Sequence, residues 1–250
     1  MILSMFFIVV FLSLVAEIID SSLGMGYGTL LSPILIAMGF PPILVVSSIL
    51  LSQAGGGVIA SIFHHKLKNS NFSLKSNDLK FVFMISIMGI FAVVFAMLVS
   101  ISIPVLYVKL YISVLVIVMG VIILLKFHFK FSFKKIFFIS IISAFNKGLS
   151  GGGFGPVVTG GQIITGKEVK SAIGVTTFSE VPICLAAFIT YLIAGGVIGW
   201  YLIIPLLVGV IIASTIGPYI TKKMDVKKTK IVLGILLILL GTWSIIKLVT

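Results

Sequence analysis

The sequence predicts an all-α integral membrane protein arranged as an inverted-topology duplication, each half a Gly-broken helical hairpin followed by three transmembrane helices. Three observations predict it: an excess of apolar side chain, a match of the chain to itself, and the placement of its lysines. The chain has 250 residues, of which 60% are hydrophobic and 10% charged, with a mean hydropathy of +1.33. A soluble domain carries about a quarter of its residues as charges and lacks repeated apolar runs of about 18 residues. Here such runs recur along the whole length.

Compared with itself at an offset of 127, the chain lays Leu23-Gly24-Met25-Gly26-Tyr27-Gly28 over Ser150-Gly151-Gly152-Gly153-Phe154-Gly155. The same offset brings Ser32 to Thr159, Gly39 to Gly166, Ser52-Gln53 to Ser179-Glu180 and Ala60 to Ala187. At an offset of 121, Val105, Lys109, Gly120 and Lys126 meet Val226, Lys230, Gly241 and Lys247. Internal symmetry of this kind marks transporter-like duplications. The halves are therefore 1–130 and 131–250.

The first half opens with a hairpin over 2–39, interrupted by its glycine cluster. Residues 1–20 lack a basic leader and a small-residue cleavage site, so they read as structure and not as a removed signal peptide. Helices then follow over 42–64, 80–101 and 104–126. Pro41-Pro42 and Pro104 fall at their starts, where a missing N–H costs nothing. The second half repeats the design with a hairpin over 135–166 and helices over 169–193, 198–221 and 230–248.

Lysine placement decides between two topologies. If each interrupted segment crossed the membrane once, nine lysines would lie on one side and eight on the other. If each enters and returns on one side, the loops 66–80, 126–135, 167–170 and 222–230 share a side with fifteen lysines, leaving Lys109 and Lys247 opposite. The positive-inside rule selects the hairpin arrangement. Three crossings after each hairpin then insert the second half upside down relative to the first.

Irregular backbone at membrane depth needs protein or a wet cavity around it. Two glycine turns meeting near the midplane imply such a place. Gly151, Gly152, Gly153 and Gly155 precede or open a helix at Pro156, and Gly24, Gly26 and Gly28 do the same before Thr29; free N–H groups at a helix start favour an anion. For any single glycine, close helix packing is the ordinary explanation. Two matched clusters in broken helices point instead to a binding site. Ser52 and Gln53, facing Thr176, Thr177 and Ser179 across the pseudo-twofold, would add side-chain contacts, although serine and threonine in membrane helices commonly bond their own helix.

Four charges fall inside apolar segments, where such residues are rare and functional. Glu180, two residues before Pro182, is the candidate to carry a coupling proton, with Glu17 next and a neutral carboxyl bonded to a neighbouring serine as the alternative. Asp20 and Lys147 occupy equivalent places in the two halves and form a candidate structural charge pair.

Composition excludes much else. A single cysteine, Cys184, allows no intrachain disulfide, no Cys-rich zinc site and no iron–sulfur cluster, and no cofactor is implied. All 18 basic residues are lysine, which is unlike an arginine-rich nucleic-acid surface. Adjacent His64 and His65 point about 100° apart on a helix and read as interfacial groups, not as a metal site. Trp200 and Tyr201 read as interface anchors. Gly148-Leu149-Ser150-Gly151 fits the pattern of rhomboid-type intramembrane proteases, but no histidine is available at depth as its base. A passive anion channel is a further alternative, although inverted duplication is the design of alternating-access carriers.

With Leu149-Ser150-Gly151-Gly152-Gly153-Phe154-Gly155, its weaker first-half copy, and Gly120 and Gly241 in the last helix of each half, the entire chain resembles the sulfite exporter TauE/SafE family, also called the toluene sulfonate uptake permeases. The resemblance implies a multi-pass carrier in a prokaryotic cytoplasmic membrane. It would move a sulfur oxyanion or organosulfonate with a coupling proton or sodium ion, as a monomer or a homo-oligomer.

Overall fold

The structure, a computed structural model, describes residues 2–125, 133–164, 167–194, 196, 198–223 and 226–249. Among them run ten α-helices: α1 (Ile2–Leu23), α2 (Tyr27–Ala37), α3 (Pro42–Lys66), α4 (Asn77–Ser102), α5 (Val105–Leu124), α6 (Phe133–Ser150), α7 (Phe154–Ile164), α8 (Val169–Ile193), α9 (Trp200–Lys223) and α10 (Val226–Val249). Six of these, α1, α3, α4, α5, α8 and α9, are long and apolar enough to cross a membrane. This is a multi-pass, all-helical membrane protein. At 1.5 Å per residue, α1 is about 33 Å long and the 11-residue α2 and α7 only about 16 Å, so these two reach halfway at most.

Local chemistry sets the helix starts. Pro42 is the first residue of α3, and Pro104 stands just before α5. Ser76 caps α4, its Oγ accepting from the Leu79 N–H at 3.2 Å. Phe7, Phe11, Phe83, Phe91, Phe95 and Phe138 lie outward on the helix surfaces, the side that meets lipid.

Helices α3 and α8 form the centre and run antiparallel, with Gln53 opposite Glu180, Gly57 against Thr177 and Val181, and His64 beside Gly174. Helices α5 and α10 are also antiparallel: Gly120 packs on Gly234 and Ile238, and Ser113 bonds Ser244 at 2.7 Å. Helix α1 runs parallel along α9, and α6 parallel along α4. Gly209 admits Ser13 in the first pairing, and Gly148 admits Ala96 in the second. Where lipid is as apolar as the side chains, such close approach of small residues is what holds helices together.

The two ends of the bundle differ. At the end where α3 and α9 finish and α4 and α8 begin, Lys167 pairs with Asp78 at 2.9 Å, Ser171 Oγ donates to the same carboxylate at 2.7 Å, and Asn69 donates to the Pro218 carbonyl. Burial pushes the Lys167 ammonium below its usual range, and Asp78 opposes that shift. His64, expected at the interface, is instead buried in this end, its Nε2 2.9 Å from the Ser21 carbonyl and its Nδ1 bonded by Asn69. The α1 carbonyl of Ser21 and the Asn69 amide meet the ring inside the bundle, while His65 stays exposed. At the opposite end a cavity of about 330 Å³ opens between the start of α3, the α4–α5 link and the end of α8, lined by Pro42, Ile43, Ser100, Val108 and Tyr191. Lys126, Lys130, Gly166 and the proposed boundary between residues 130 and 131 lie outside the described residues.

Candidate functional site

Between α1 and α2, Gly24 and Gly26 take φ of +68° and +135°; between α6 and α7, Gly151 and Gly153 take +74° and +80°. Only glycine adopts such angles without strain. The two turns meet and pass each other. Gly24 faces Gly155 and Thr159, Gly28 lies on the Gly151 carbonyl, and Gly152 lies on the backbone of Thr29. Thr159 Oγ1 donates to the Gly24 carbonyl at 2.9 Å, and Ser32 Oγ donates to the Ser150 carbonyl at 2.5 Å. The donors of those two bonds, Ser32 and Thr159, correspond at the offset of 127, and their acceptors differ from that register by one residue.

This crossing uses several of the N–H groups expected to face a ligand. The Gly153 N–H donates to Thr29 Oγ1 at 3.0 Å, that of Gly152 to Ser150 Oγ at 3.1 Å, and that of Tyr27 to Asp20 Oδ1 at 3.1 Å. In this conformation the glycines serve close backbone packing. Ser150 Oγ also donates to the Asn146 carbonyl at 2.7 Å, so the bonds described for the motif serine's hydroxyl are all to backbone.

Beside the crossing lies a buried polar quartet. Gln53 Nε2 donates to Asp20 Oδ2 at 3.0 Å and to Glu180 Oε2 at 2.9 Å. Lys147 Nζ donates to Gln53 Oε1 and lies 3.4 Å from Glu180 Oε1. None of the four residues is more than 4% exposed. They come from four helices, α1, α3, α6 and α8, and fall into two pairs related by the offset of 127: Asp20 with Lys147, and Gln53 with Glu180. The expected pairing of Lys147 with Asp20 is corrected in one respect. The Gln53 amide stands between them, so the carboxylate within ion-pair distance of Lys147 is Glu180.

Glu17 sits one turn before Asp20 on α1. Its Oε1 accepts from Ser214 Oγ of α9 at 2.9 Å, and its buried Oε2 has no hydrogen-bond partner. Nearby, the Tyr27 hydroxyl bridges Ser13 Oγ at 3.1 Å and Ser52 Oγ at 2.9 Å, tying α1, α2 and α3 together. Tyr27→Phe deletes both bonds and leaves two buried hydroxyls short of a partner. The expected cost is about 1 kcal/mol, read as a fall in Tm of about 2–4 °C for a chain of this size.

The remaining candidates divide. Thr176 Oγ1 lies 2.9 Å from Thr159 Oγ1 and accepts from Gln162 Nε2 at 3.0 Å, so it belongs to a cluster on the α7 side of the crossing. Thr177 and Ser179 donate to carbonyls four residues back in α8, at 3.0 and 2.7 Å, as membrane hydroxyls commonly do. Sequence reading missed Tyr27, Thr29, Thr159, Gln162 and Ser214. Thr159 was within reach, since the offset of 127 aligns it with Ser32; nothing in the sequence points to Ser214, because its role depends on how α1 lies on α9.

The family model described as sulfite exporter TauE/SafE matches residues 9–243. A Bacillus subtilis protein named "Probable membrane transporter protein YtnM" is 24% identical over 246 residues, covering 94% of this chain and 81% of that protein. No solved structure matches the chain.

Proposed function

The chain belongs to the sulfite exporter TauE/SafE family of membrane transporters, and from that premise we propose that it is a secondary carrier for a small anion, a sulfur oxyanion or organosulfonate such as sulfite. It works by alternating access between inverted halves, in a prokaryotic cytoplasmic membrane. The observation that carries this reading is the quartet, in which symmetry-related residues meet at the midpoints of two helices that run antiparallel.

Helices in equivalent places that run antiparallel, as α3 with α8 and α5 with α10, are what an inverted duplication produces. The packing supports it, because α1 on α9 and α6 on α4 are the same contact with the halves exchanged. By the lysine rule, the end that holds Asp78 and Lys167 faces the cytoplasm. At that end Asp78 and Asn69 bond across helices, while the cavity lies at the other end, which supports reading this conformation as open on the outer side. About 16 Å of helix separates Tyr191 from Glu180 and Pro42 from Gln53, so the cavity lies on the same two helices as the quartet. Rocking one half against the other would close it and open the cytoplasmic end.

In this scheme the crossing of Gly24, Gly26 and Gly28 with Gly151, Gly152, Gly153 and Gly155 is the pivot, and Ser52, Gln53, Thr176, Thr177 and Ser179 line the path. Glu180 and Glu17 are the groups to carry a coupling proton. A passive channel would pass anions down their own gradient only, so flux that answers an imposed proton or sodium gradient separates the two readings.

The test is ligand-induced stabilisation of the detergent-purified protein across a panel of sulfite, thiosulfate, methanesulfonate, chloride, phosphate and divalent metals, since a ligand that binds only the folded state raises Tm by mass action. Selective stabilisation by the sulfur anions is expected. Stabilisation by divalent metals alone would remove the anion reading.

A further inference from the structure

The polar centre poses an electrostatic problem for an anion carrier. Three carboxyls, Glu17, Asp20 and Glu180, share it with one ammonium, Lys147, and all four are buried. Charges in a medium of low dielectric need partners, and an unpaired one is very costly. An anion added to this set would face net negative charge. It would find few open backbone donors at the glycine turns, where the N–H groups of Tyr27, Gly152 and Gly153 already bond protein oxygens.

Lys147 is different. An ammonium donates three hydrogen bonds, and the described acceptors take two, Gln53 Oε1 and Glu180 Oε1, the second at a loose 3.4 Å. Among the described residues it is the lysine held inside the bundle, at 1% exposure. The charged and polar groups that face it are Asp20 and Glu17 from α1, Gln53 from α3, and Glu180 and Cys184 from α8, while α4, which packs along α6, brings apolar Val93 and Ala96 to the adjoining Gly148. Only Glu180 is paired with it directly.

We infer that Lys147 is the binding group for the transported anion, and that the anion binds by displacing the Glu180 carboxylate from it. This rests on the carrier reading above and names the residue that reads the substrate's charge. The exchange leaves Lys147 paired throughout. The displaced carboxylate, enclosed between α3, α6 and α8 with Asp20 nearby, then takes a proton from the open side, so one proton is bound per anion. Coupling follows from competition of two anions for one cation, without a separate coupling site.

The experiment measures binding of thiosulfate and methanesulfonate, whose charges do not change between pH 5 and 9, by thermal stabilisation of the full-length protein at each pH. In the unmodified protein, affinity is expected to fall about tenfold per pH unit on the alkaline side, the slope of one linked proton. Glu180→Gln, which removes the competitor and the proton site together, is expected to bind both anions with no pH dependence. Lys147→Met strands a buried carboxylate and threatens the fold, so the neutral double variant Lys147→Met/Glu180→Gln is the decisive one. It is expected to fold and to bind neither anion. Binding by the double variant at the affinity of Glu180→Gln would overturn the role of Lys147, as would a flat pH profile in the unmodified protein overturn the exchange; in both cases the anion carrier stands. Failure of the unmodified protein to bind either anion at any pH would remove the carrier reading itself and this inference with it.

Discussion

Gly155→Ala is expected to leave almost no folded protein, whereas Gly160→Ala, five residues further along α7, is expected to be silent or slightly stabilising. A Cβ at Gly155 would overlap the Gly24 carbonyl oxygen and crowd Met25 Cα, atoms of a backbone that cannot rotate aside. Overpacking against movable side chains already costs about 1–3 kcal/mol, and here the whole crossing would have to separate. A Cβ at Gly160 meets nothing within 4 Å, and alanine improves on glycine in a helix by up to about 1 kcal/mol. Size-exclusion profiles of detergent extracts compare the two directly. Equal monodisperse peaks would mean that the hairpins can part without loss, and that the crossing is not a structural pivot.

The second large effect belongs to Glu180→Gln in proteoliposomes. Accumulation of anion driven by an imposed proton gradient is expected to disappear, while exchange of labelled for unlabelled anion across the membrane continues. Glutamine keeps the size of the side chain and its hydrogen-bonding contact with Gln53, which bonds Glu180 at 2.9 Å, but it cannot gain or lose a proton. Exchange needs only that the loaded carrier cross, whereas accumulation needs the proton to cross with it. Gradient-driven accumulation at the unmodified level would place the coupling ion elsewhere, with Glu17 as the next carboxyl to replace.

How much of this was legible in the sequence varies with the physics involved. Membrane residence and all-helical class follow from apolar runs, because a helix is one of the two ways a chain satisfies its backbone in lipid. The glycine interruptions were equally plain, since Gly24, Gly26, Gly151 and Gly153 all adopt positive φ. What the turns touch was not legible. A glycine that frees an N–H for a ligand and a glycine that lets another backbone approach look alike in a sequence, and only the fold shows Gly28 lying on Gly151. Lys147 was assigned to Asp20 by symmetry, the one relation a sequence displays; the intervening Gln53 amide depends on where α3 lies relative to α1 and α6. His64 was misplaced for a similar reason, since nothing in a terminal histidine pair reveals that one ring meets the Ser21 carbonyl of α1 and the Asn69 amide.

The crossing of the two hairpins has a consequence for how the chain is made. Gly28 is synthesised about 120 residues before its neighbours Gly151 and Gly152. At about 5–20 residues per second, the first hairpin waits roughly 6–25 s in the bilayer with an uncovered carbonyl-lined tip. During that interval nothing from its own half can take the place of the second turn. The first hairpin therefore lacks its packing partner until α6 and α7 arrive, and any delay in translation between residues 40 and 150 lengthens that interval.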